Sequence, residues 1–231
     1  MKSAYRFPAH VHACALDEGA ILLDAKADKY LYFNSHQAAW LAELSETRET
    51  AREPSSKAIR FAERLERKDL LTIDPSKGKA VAYTDTPGAR TSLLEASVDN
   101  GAVTFGAVMR FLAALNACRS HRKGGQMTIA DSVILAQGWK SRAARKDASG
   151  DVFRLAGSFH RLSPYFVSTY NACFFRSLLL LHFLSAYGIS ADWVFGVRLA
   201  PFDAHCWVAY EDALLNETCD KAAEYKVIMV I

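Results

Sequence analysis

Two side chains in this chain have surroundings that suit nucleophilic chemistry. Cys173 stands in "YNACFFRSLLLLHFLSAYGI", just before a run of leucines, and His205 stands in "PFDAHCWVAY". A thiol reacts as its thiolate, and a free thiol pKa of about 8.5 leaves few thiolates at neutral pH. A helix N-terminus and a neighbouring imidazolium both lower that pKa. Cys173 and His205 are therefore a candidate nucleophile and base, with burial in an apolar core as the alternative for each.

The residues around this pair predict the elements that would position it. Pro164 and the β-branched residues before Cys173 favour an extended approach, and the Phe, Leu and Ala residues after it favour a helix. Cys173 then lies in the first helical turn, where unpaired N–H groups and the helix dipole favour a negative charge. "ADWVFGVR", "HCWVAY" and "ALLNE" predict strands, and the second carries His205 across that helix end. An order of helix cysteine, strand histidine and strand acid is that of papain-like and transglutaminase-like folds.

Glu217 is the candidate acid, and its place depends on the turn between the last two of these strands. Side chains alternate between the two faces of a sheet along a strand. A two-residue turn would pair Tyr210 with Ala213 and would point Glu217 away from His205. A three-residue turn would instead bring Glu217 to the same face as His205. The triad therefore requires an odd loop or a bulge, and Asp220 is the reserve acid.

The remaining cysteines indicate neither a disulfide framework nor a zinc site. The chain has five cysteines, an odd number, and no CxxC pair, which fits a reducing cytoplasm. We interpret Cys14, Cys118 and Cys206 as buried core residues, and we expect Cys206 to point to the sheet face opposite His205. The sequence has no GxxxxGK[ST] phosphate loop, and we expect no metal and no cofactor.

The composition excludes several classes of protein. The chain has 231 residues, of which 51% are apolar and 23% charged, as in an ordinary globular protein. The net charge of +3 and the scattered basic residues argue against a nucleic-acid partner. The longest apolar stretch, "LLLLHFL", is far shorter than the roughly 20 residues that span a bilayer. The N-terminus lacks the apolar core of a signal peptide, so we expect a cytoplasmic protein without a membrane partner.

An α+β chain of two domains is predicted, residues 1–85 and 86–231. In the first domain, "HVHACAL", "AILLDA" and "KYLYFN" predict three strands, two helices follow, and "LLTI" predicts a closing strand. Such an order is winged-helix-like. A linker rich in Pro, Gly, Ser and Thr is predicted over 74–92. In the second domain we expect helices over about 104–119 and 127–146, then a turn-rich loop that leads to the cysteine helix.

The segment from Cys173 onward resembles the B proteins of lasso-peptide biosynthesis, the group that includes the microcin J25 maturation protease. The shared features are Cys173, Arg176-Ser177, Gly188-Ile189, Gly196-Val197-Arg198, Pro201-Phe202, His205, Trp207-Val208 and Asn216-Glu217. The resemblance implies a transglutaminase-like, papain-like fold of a helix on an antiparallel sheet. It also implies a cysteine protease that removes the leader from a ribosomally made precursor peptide. By position, Cys173 is the nucleophile, His205 the base and Glu217 the acid, where the family usually has Asp.

The same resemblance extends to the first domain and to the partners. In many bacterial members a small precursor-recognition domain of three strands and three helices precedes the protease, and residues 9–85 have a similar order. Such domains bind the leader as an added strand on a sheet edge. The implied leader-binding residues lie on the third strand and the last helix: Lys29, Tyr30, Leu31, Tyr32, Phe33, Arg60, Arg64 and Lys68. The implied partners are the precursor peptide and an ATP-dependent macrolactam synthetase.

Alternation along the third strand places Tyr30 and Tyr32 on one face and Leu31 and Phe33 on the other, so one pair is expected in the core.

Three other functions stay open. They are a leader-binding scaffold without turnover, an acyltransferase that uses the same Cys–His pair, and a winged-helix DNA-binding regulator. For the protease, the Cys173 backbone N–H and Asn171 are the candidate donors to the oxyanion.

Overall fold

A computed structural model describes residues 5–45, 53–84, 90–95, 103–123, 127–144, 151–167 and 173–231. The chain divides into two compact units, Met1–Asp85 and Thr86–Ile231. Helices and mainly antiparallel strands form both units, so the predicted α+β class is confirmed.

The first unit combines two small sheets with two helices. Its elements are β1 (Arg6–Pro8), β2 (Val11–Leu16), β3 (Gly19–Asp24), β4 (Lys29–Asn34), α1 (Ser35–Ser45), α2 (Ser56–Glu66) and β5 (Gly78–Ala80). Strands β2, β3 and β4 form an antiparallel meander, and β1 pairs with β5. The predicted meander and the two helices that follow it are present, while the winged-helix comparison stays a prediction.

Helix α2 shows how the core of the first unit is built. The side chain of Ser55 caps the helix by accepting a hydrogen bond from the Ala58 N–H at 3.2 Å. Four of its apolar residues recur at helical spacing and are buried, namely Ala58, Phe61, Ala62 and Leu65, while Ile59 is exposed. Phe61 packs edge-on against Phe33 of β4, with ring centroids 5.3 Å apart. The helix and the meander therefore share one core.

Two predictions for this part of the chain were wrong in detail. "LLTI" does not form a strand. Thr72 makes only an isolated bridge to Arg6, and the consecutive residues Leu70 and Leu71 are both buried. The boundary between the two units falls inside the predicted linker over 74–92, but the linker is shorter than predicted, because β5 and a further short strand of the second unit occupy its two ends.

In the second unit, three helices and a sheet surround one central helix. Its elements are β6 (Thr91–Ser92), α3 (Phe105–Lys123), α4 (Ile129–Ala143), α5 (Val152–Leu162), a 3₁₀ turn (Ser163–Tyr165), α6 (Cys173–Ser185), β7 (Asp192–Arg198), β8 (Asp203–Tyr210), β9 (Ala213–Leu214), α7 (Cys219–Ala223) and β10 (Lys226–Val230). The sheet order is β10-β7-β8-β9-β6, and every pair is antiparallel except β6 with β9.

Helix α6 is central because it packs against α3, α4 and α5 as well as against β7 and β8. Its leucine run is buried all round, as expected for a helix without a solvent face. The loop predicted before this helix was wrong, since α5 occupies most of it. Asp151 caps α5 by accepting hydrogen bonds from the Phe153 and Arg154 N–H groups.

Candidate active site

Cys173 is the first residue of α6, so its sulfur lies where the helix leaves N–H groups unpaired. The side chain is half-buried. A hydrogen bond from the Cys206 thiol lowers the pKa of Cys173 most. Burial opposes that effect, and the neighbouring His205 adds to it, so that the pKa falls to about 4. The residues just before Cys173, Asn171 among them, lie outside the described part of the chain.

His205 lies on β8 and connects Cys173 to Glu217. Its Nε2 hydrogen-bonds Glu217 Oε2 at 2.5 Å, which leaves the other ring nitrogen to Cys173. The ring packs beside Tyr225 and Trp207, with centroids 5.3 and 6.0 Å away. Burial lowers the pKa of His205, but the hydrogen bonds and negative charges of Cys173 and Glu217 outweigh it and raise the pKa to about 9. At neutral pH the pair is therefore a thiolate and an imidazolium.

The register of β8 and β9 does not by itself bring Glu217 to His205. The two strands pair Ala209 with Leu214 and Tyr210 with Ala213, so the turn between them has two residues. That even turn is the arrangement that should point Glu217 away. The predicted strand "ALLNE" was wrong in length, because β9 contains only Ala213 and Leu214.

The chain leaves β8 just after Leu215. The Leu215 N–H still donates to the Val208 carbonyl at 2.8 Å. Its carbonyl, however, accepts a hydrogen bond from Nε2 of His160 on α5 at 2.7 Å. The Val208 N–H donates to the side-chain oxygen of Asn216 at 2.7 Å instead of to a strand carbonyl. This departure is the irregularity that the triad requires, and it brings Glu217 to His205.

The early end of β9 also opens the edge of β8 to the cysteine helix. The Cys206 N–H hydrogen-bonds the sulfur of Cys173, and the Cys206 carbonyl accepts from the Ser177 hydroxyl at 3.3 Å. Two side chains of α6, one turn apart, thus occupy positions that a longer strand would have filled. Cys206 is buried as expected, but its thiol contacts Cys173, because α6 covers the sheet face opposite His205.

Glu217 is held from both ends. Its Oε1 accepts a hydrogen bond from the Thr218 N–H at 3.0 Å, and its carbonyl accepts one from the Ser92 hydroxyl of β6 at 2.7 Å. Burial raises the pKa of Glu217, but the bonds from His205 and Thr218 outweigh burial and lower it. Asp220, the reserve acid, lies on α7. The acid bonded to His205 is Glu217.

Sequence reasoning missed four polar residues that support this arrangement: Ser92, His160, Ser177 and Asn216. Two of them, Ser177 and Asn216, belong to the motifs that carry the family resemblance, and that was the available signal. The other two come from β6 and α5, and no pattern in those segments indicates a contact with residues 215–217.

A groove of about 390 Å³ lies on the first unit. It is lined by Phe33, Gln37, Phe61, Arg64, Leu65, Arg67 and Lys68. Of the implied leader-binding residues, Phe33, Arg64 and Lys68 therefore line the groove, and Lys29, Tyr30, Leu31, Tyr32 and Arg60 do not. Strand β4 is one of the two outer strands of its meander, and β2 is the other. Leu31 and Phe33 pack into the core, while Tyr32 lies on the other face and is 48% exposed.

The model for the transglutaminase-like superfamily matches residues 111–230. The matched range contains Cys173, His205 and Glu217, and the first unit precedes it. No curated protein and no solved structure matches the chain significantly. None of the helices described is long and apolar enough to cross a membrane. Within the residues that the structure describes, no group of three or more His, Cys, Asp and Glu residues is arranged to hold a metal ion.

Proposed function

The chain belongs to the transglutaminase-like superfamily, and on that premise we propose that it is a cysteine peptidase that removes the leader from a lasso-peptide precursor. The observation that carries the chemistry is the position of His205 between the Cys173 sulfur and the Glu217 carboxylate. The choice of substrate rests on the sequence resemblance around these residues and on the groove of the first unit.

In the proposed reaction, the Cys173 thiolate attacks the carbonyl carbon of the scissile peptide bond. The His205 imidazolium donates its proton to the leaving amine, which departs as the N-terminus of the core peptide. Water then attacks the thioester, with neutral His205 as the base, and the leader leaves with a free carboxylate. The Cys173 N–H at the start of α6 is our candidate donor to the oxyanion.

The groove supports a role for the first unit in holding the leader. Its walls combine apolar side chains of Phe33, Phe61 and Leu65 with the basic side chains of Arg64 and Lys68. A peptide added along β4 would form backbone hydrogen bonds with the strand edge and place side chains over this groove. The composition of the walls favours a segment with apolar side chains and an acidic neighbour.

Tethering explains why recognition and cleavage reside in one chain. Once the first unit holds the leader, the scissile bond meets Cys173 at an effective concentration of about millimolar for a short flexible link. The freed amine of the core peptide is the group that a macrolactam synthetase requires to close a ring. We therefore propose an ATP-dependent synthetase as the partner and the cytoplasm as the place of action.

The test follows the intact mass of the precursor peptide encoded beside this chain, with and without the synthetase. Wild type, Cys173→Ala, His205→Ala and Glu217→Ala are compared with Ser132→Ala. The control removes a fully buried hydroxyl whose hydrogen bond stays within α4 and its cap. We expect cleavage between leader and core by wild type and control, no cleavage by the first two variants, and a rate lower by about 100-fold for the third.

Two other results would redirect the assignment. Tight leader binding by wild type without any cleavage would make the chain a scaffold for the synthetase. A product whose mass contains an added amine in place of water would make it an acyltransferase. The masses of the leader fragment separate these results from proteolysis.

A further inference from the structure

We propose that Asn216 is a positioning residue that holds Glu217 against His205. Its buried side-chain amide accepts the hydrogen bond of the Val208 N–H in place of the strand carbonyl that is lost where the chain departs from β8. The inference rests on the proposed Cys173–His205–Glu217 site. It does not depend on which peptide is the substrate.

The register shows what the amide must achieve. If β9 continued in step with its two pairs, each further residue would oppose the preceding residue of β8. Glu217 would then lie opposite Cys206 and point to the face away from His205. The carboxylate nevertheless lies 2.5 Å from His205 Nε2. Another contact must therefore satisfy the backbone groups of β8 that lose their strand partner at this point.

Asn216 makes that contact, and its orientation is fixed by its partners. A backbone N–H can only donate, so the atom that faces the Val208 N–H at 2.7 Å must be the amide oxygen. The amide nitrogen then donates to the Ser177 hydroxyl at 3.0 Å. Because that hydroxyl in turn donates to the Cys206 carbonyl, the amide closes a chain of hydrogen bonds between α6 and β8.

This series of hydrogen bonds joins the three segments that carry the triad. Ser177 lies one helical turn after Cys173 on the same face of α6. Val208 belongs to the strand of His205, and Asn216 directly precedes Glu217. Asn216 is 8% exposed and Ser177 is fully buried, so water cannot readily replace either partner. One amide therefore sets the distance between nucleophile, base and acid.

The test measures the charge state of Cys173 without any substrate. Full-length wild type, Asn216→Ala, Ser177→Ala and Glu217→Ala react with iodoacetamide across the pH range, and the rate at Cys173 is read by peptide mass spectrometry. Ser132→Ala is the matched control, because it also removes a fully buried serine hydroxyl. Thermal unfolding of each variant reports whether the fold is intact.

We expect the midpoint of the wild-type profile near pH 4. Asn216→Ala should move the midpoint upward by about 1 pH unit, in the direction of Glu217→Ala. Without the acid that holds it, His205 no longer keeps the hydrogen bond to the Cys173 sulfur that lowers the pKa of Cys173. Ser177→Ala should move the midpoint in the same direction by less, and it serves as the test if Asn216→Ala does not fold. Ser132→Ala should leave it unchanged.

Two outcomes would overturn the inference, and they differ. If Asn216→Ala and Ser177→Ala lower the unfolding temperature but keep the wild-type midpoint, while Glu217→Ala moves it, Asn216 supports the fold only and the proposed triad stands. If the wild-type midpoint lies near the ordinary thiol value of about 8.5, there is no ion pair to position. The proposed triad and this inference then fail together.

Discussion

At the scale of single residues, the candidate site is a thiolate and an imidazolium supported by neutral donors. Burial raises the pKa of the Cys206 thiol well above its ordinary value, so Cys206 keeps its proton and donates it toward Cys173. The Cys206 N–H donates to the same sulfur. Two donors from one residue of β8 therefore act on the nucleophile in addition to His205.

The first prediction tests the thiol donor. Cys206→Ala removes the largest influence that lowers the pKa of Cys173, so the alkylation midpoint of Cys173 should rise above the value of about 4. Cys206→Ser keeps a hydroxyl donor at the same position and should restore part of the shift. Equal midpoints for wild type and Cys206→Ala would show that the backbone N–H and His205 suffice.

The second prediction concerns the pH dependence of peptide cleavage. Below about pH 4 Cys173 becomes protonated, and above about pH 9 His205 loses the proton that the leaving amine requires. The profile of kcat/KM should therefore rise on the acid side, stay flat through neutrality and fall on the basic side, with limbs that belong to the coupled pair. In Glu217→Ala the basic limb should move to lower pH. A single ascending limb at the ordinary thiol pKa would contradict this.

Sequence reasoning at this scale succeeded where the local surroundings carry the information. The helix start at Cys173 follows from residues beside it, and strand alternation puts His205 on one face and Cys206 on the other. The contact between Ser92 and the Glu217 carbonyl could not be predicted, because it joins a two-residue strand to a segment far along the chain. Side-chain contacts of that range depend on the packed fold.

At the scale of elements, tertiary hydrogen bonds decide where strands and helices end. "ALLNE" has the composition of a longer strand, yet His160 takes the Leu215 carbonyl away from β8 and the ladder stops. Helix α5 was missed because Gly157 and Ser158 resemble turn residues. Both are buried between helices, where small side chains permit close packing and the Ser158 hydroxyl bonds the Arg154 carbonyl.

The third prediction concerns the pairing of β7 with β8. Gly196 lies opposite His205, and a Cβ at Gly196 would lie 2.7 Å from Tyr225 Cβ and 2.9 Å from the Trp207 ring. Gly196→Ala should therefore destabilise the fold by about 1–3 kcal/mol through overpacking. Gly138→Ala on α4 is the control, because its Cβ would meet only the end of the Arg142 side chain at 3.7 Å.

Chemical denaturation of both glycine variants measures this difference. The Gly138→Ala variant should be as stable as wild type or more stable, since alanine favours a helix over glycine by about 1 kcal/mol. If Gly196→Ala unfolds at the same denaturant concentration as wild type, Tyr225 and Trp207 are able to move aside. The packing that we describe around His205 would then be looser than its contacts indicate.

At the scale of the whole molecule, the proposed tasks fall on different units. The groove lies in Met1–Asp85 and the triad in Thr86–Ile231. The composition and patterning of the sequence predict the α+β class and the meander of the first unit. They do not predict the pairing of β1 with β5 or of β6 with β9, because such short strands have no periodicity of their own.

The fourth prediction separates the two tasks. The double variant Arg64→Glu with Lys68→Glu reverses two charges in the groove and should weaken binding of the precursor by about tenfold or more. It should leave the alkylation profile of Cys173 unchanged. Lys57→Glu, an exposed lysine of α2 that is not part of the groove lining, is the control. Isothermal titration with the precursor peptide measures the affinities, and equal affinity for all three proteins would place the leader elsewhere.

The brevity of β6 has a consequence for how the second unit meets other polypeptides. Unpaired strand edges invite further strands, whether from a ligand or from a neighbouring copy of the same chain. The sheet edge beside Glu217 ends in a strand of two residues, whereas the outer strand β4 of the first unit has six. An extended chain that passes the triad therefore finds little backbone to pair with at that edge. Self-association by strand addition is disfavoured there for the same reason, while β4 offers a longer template.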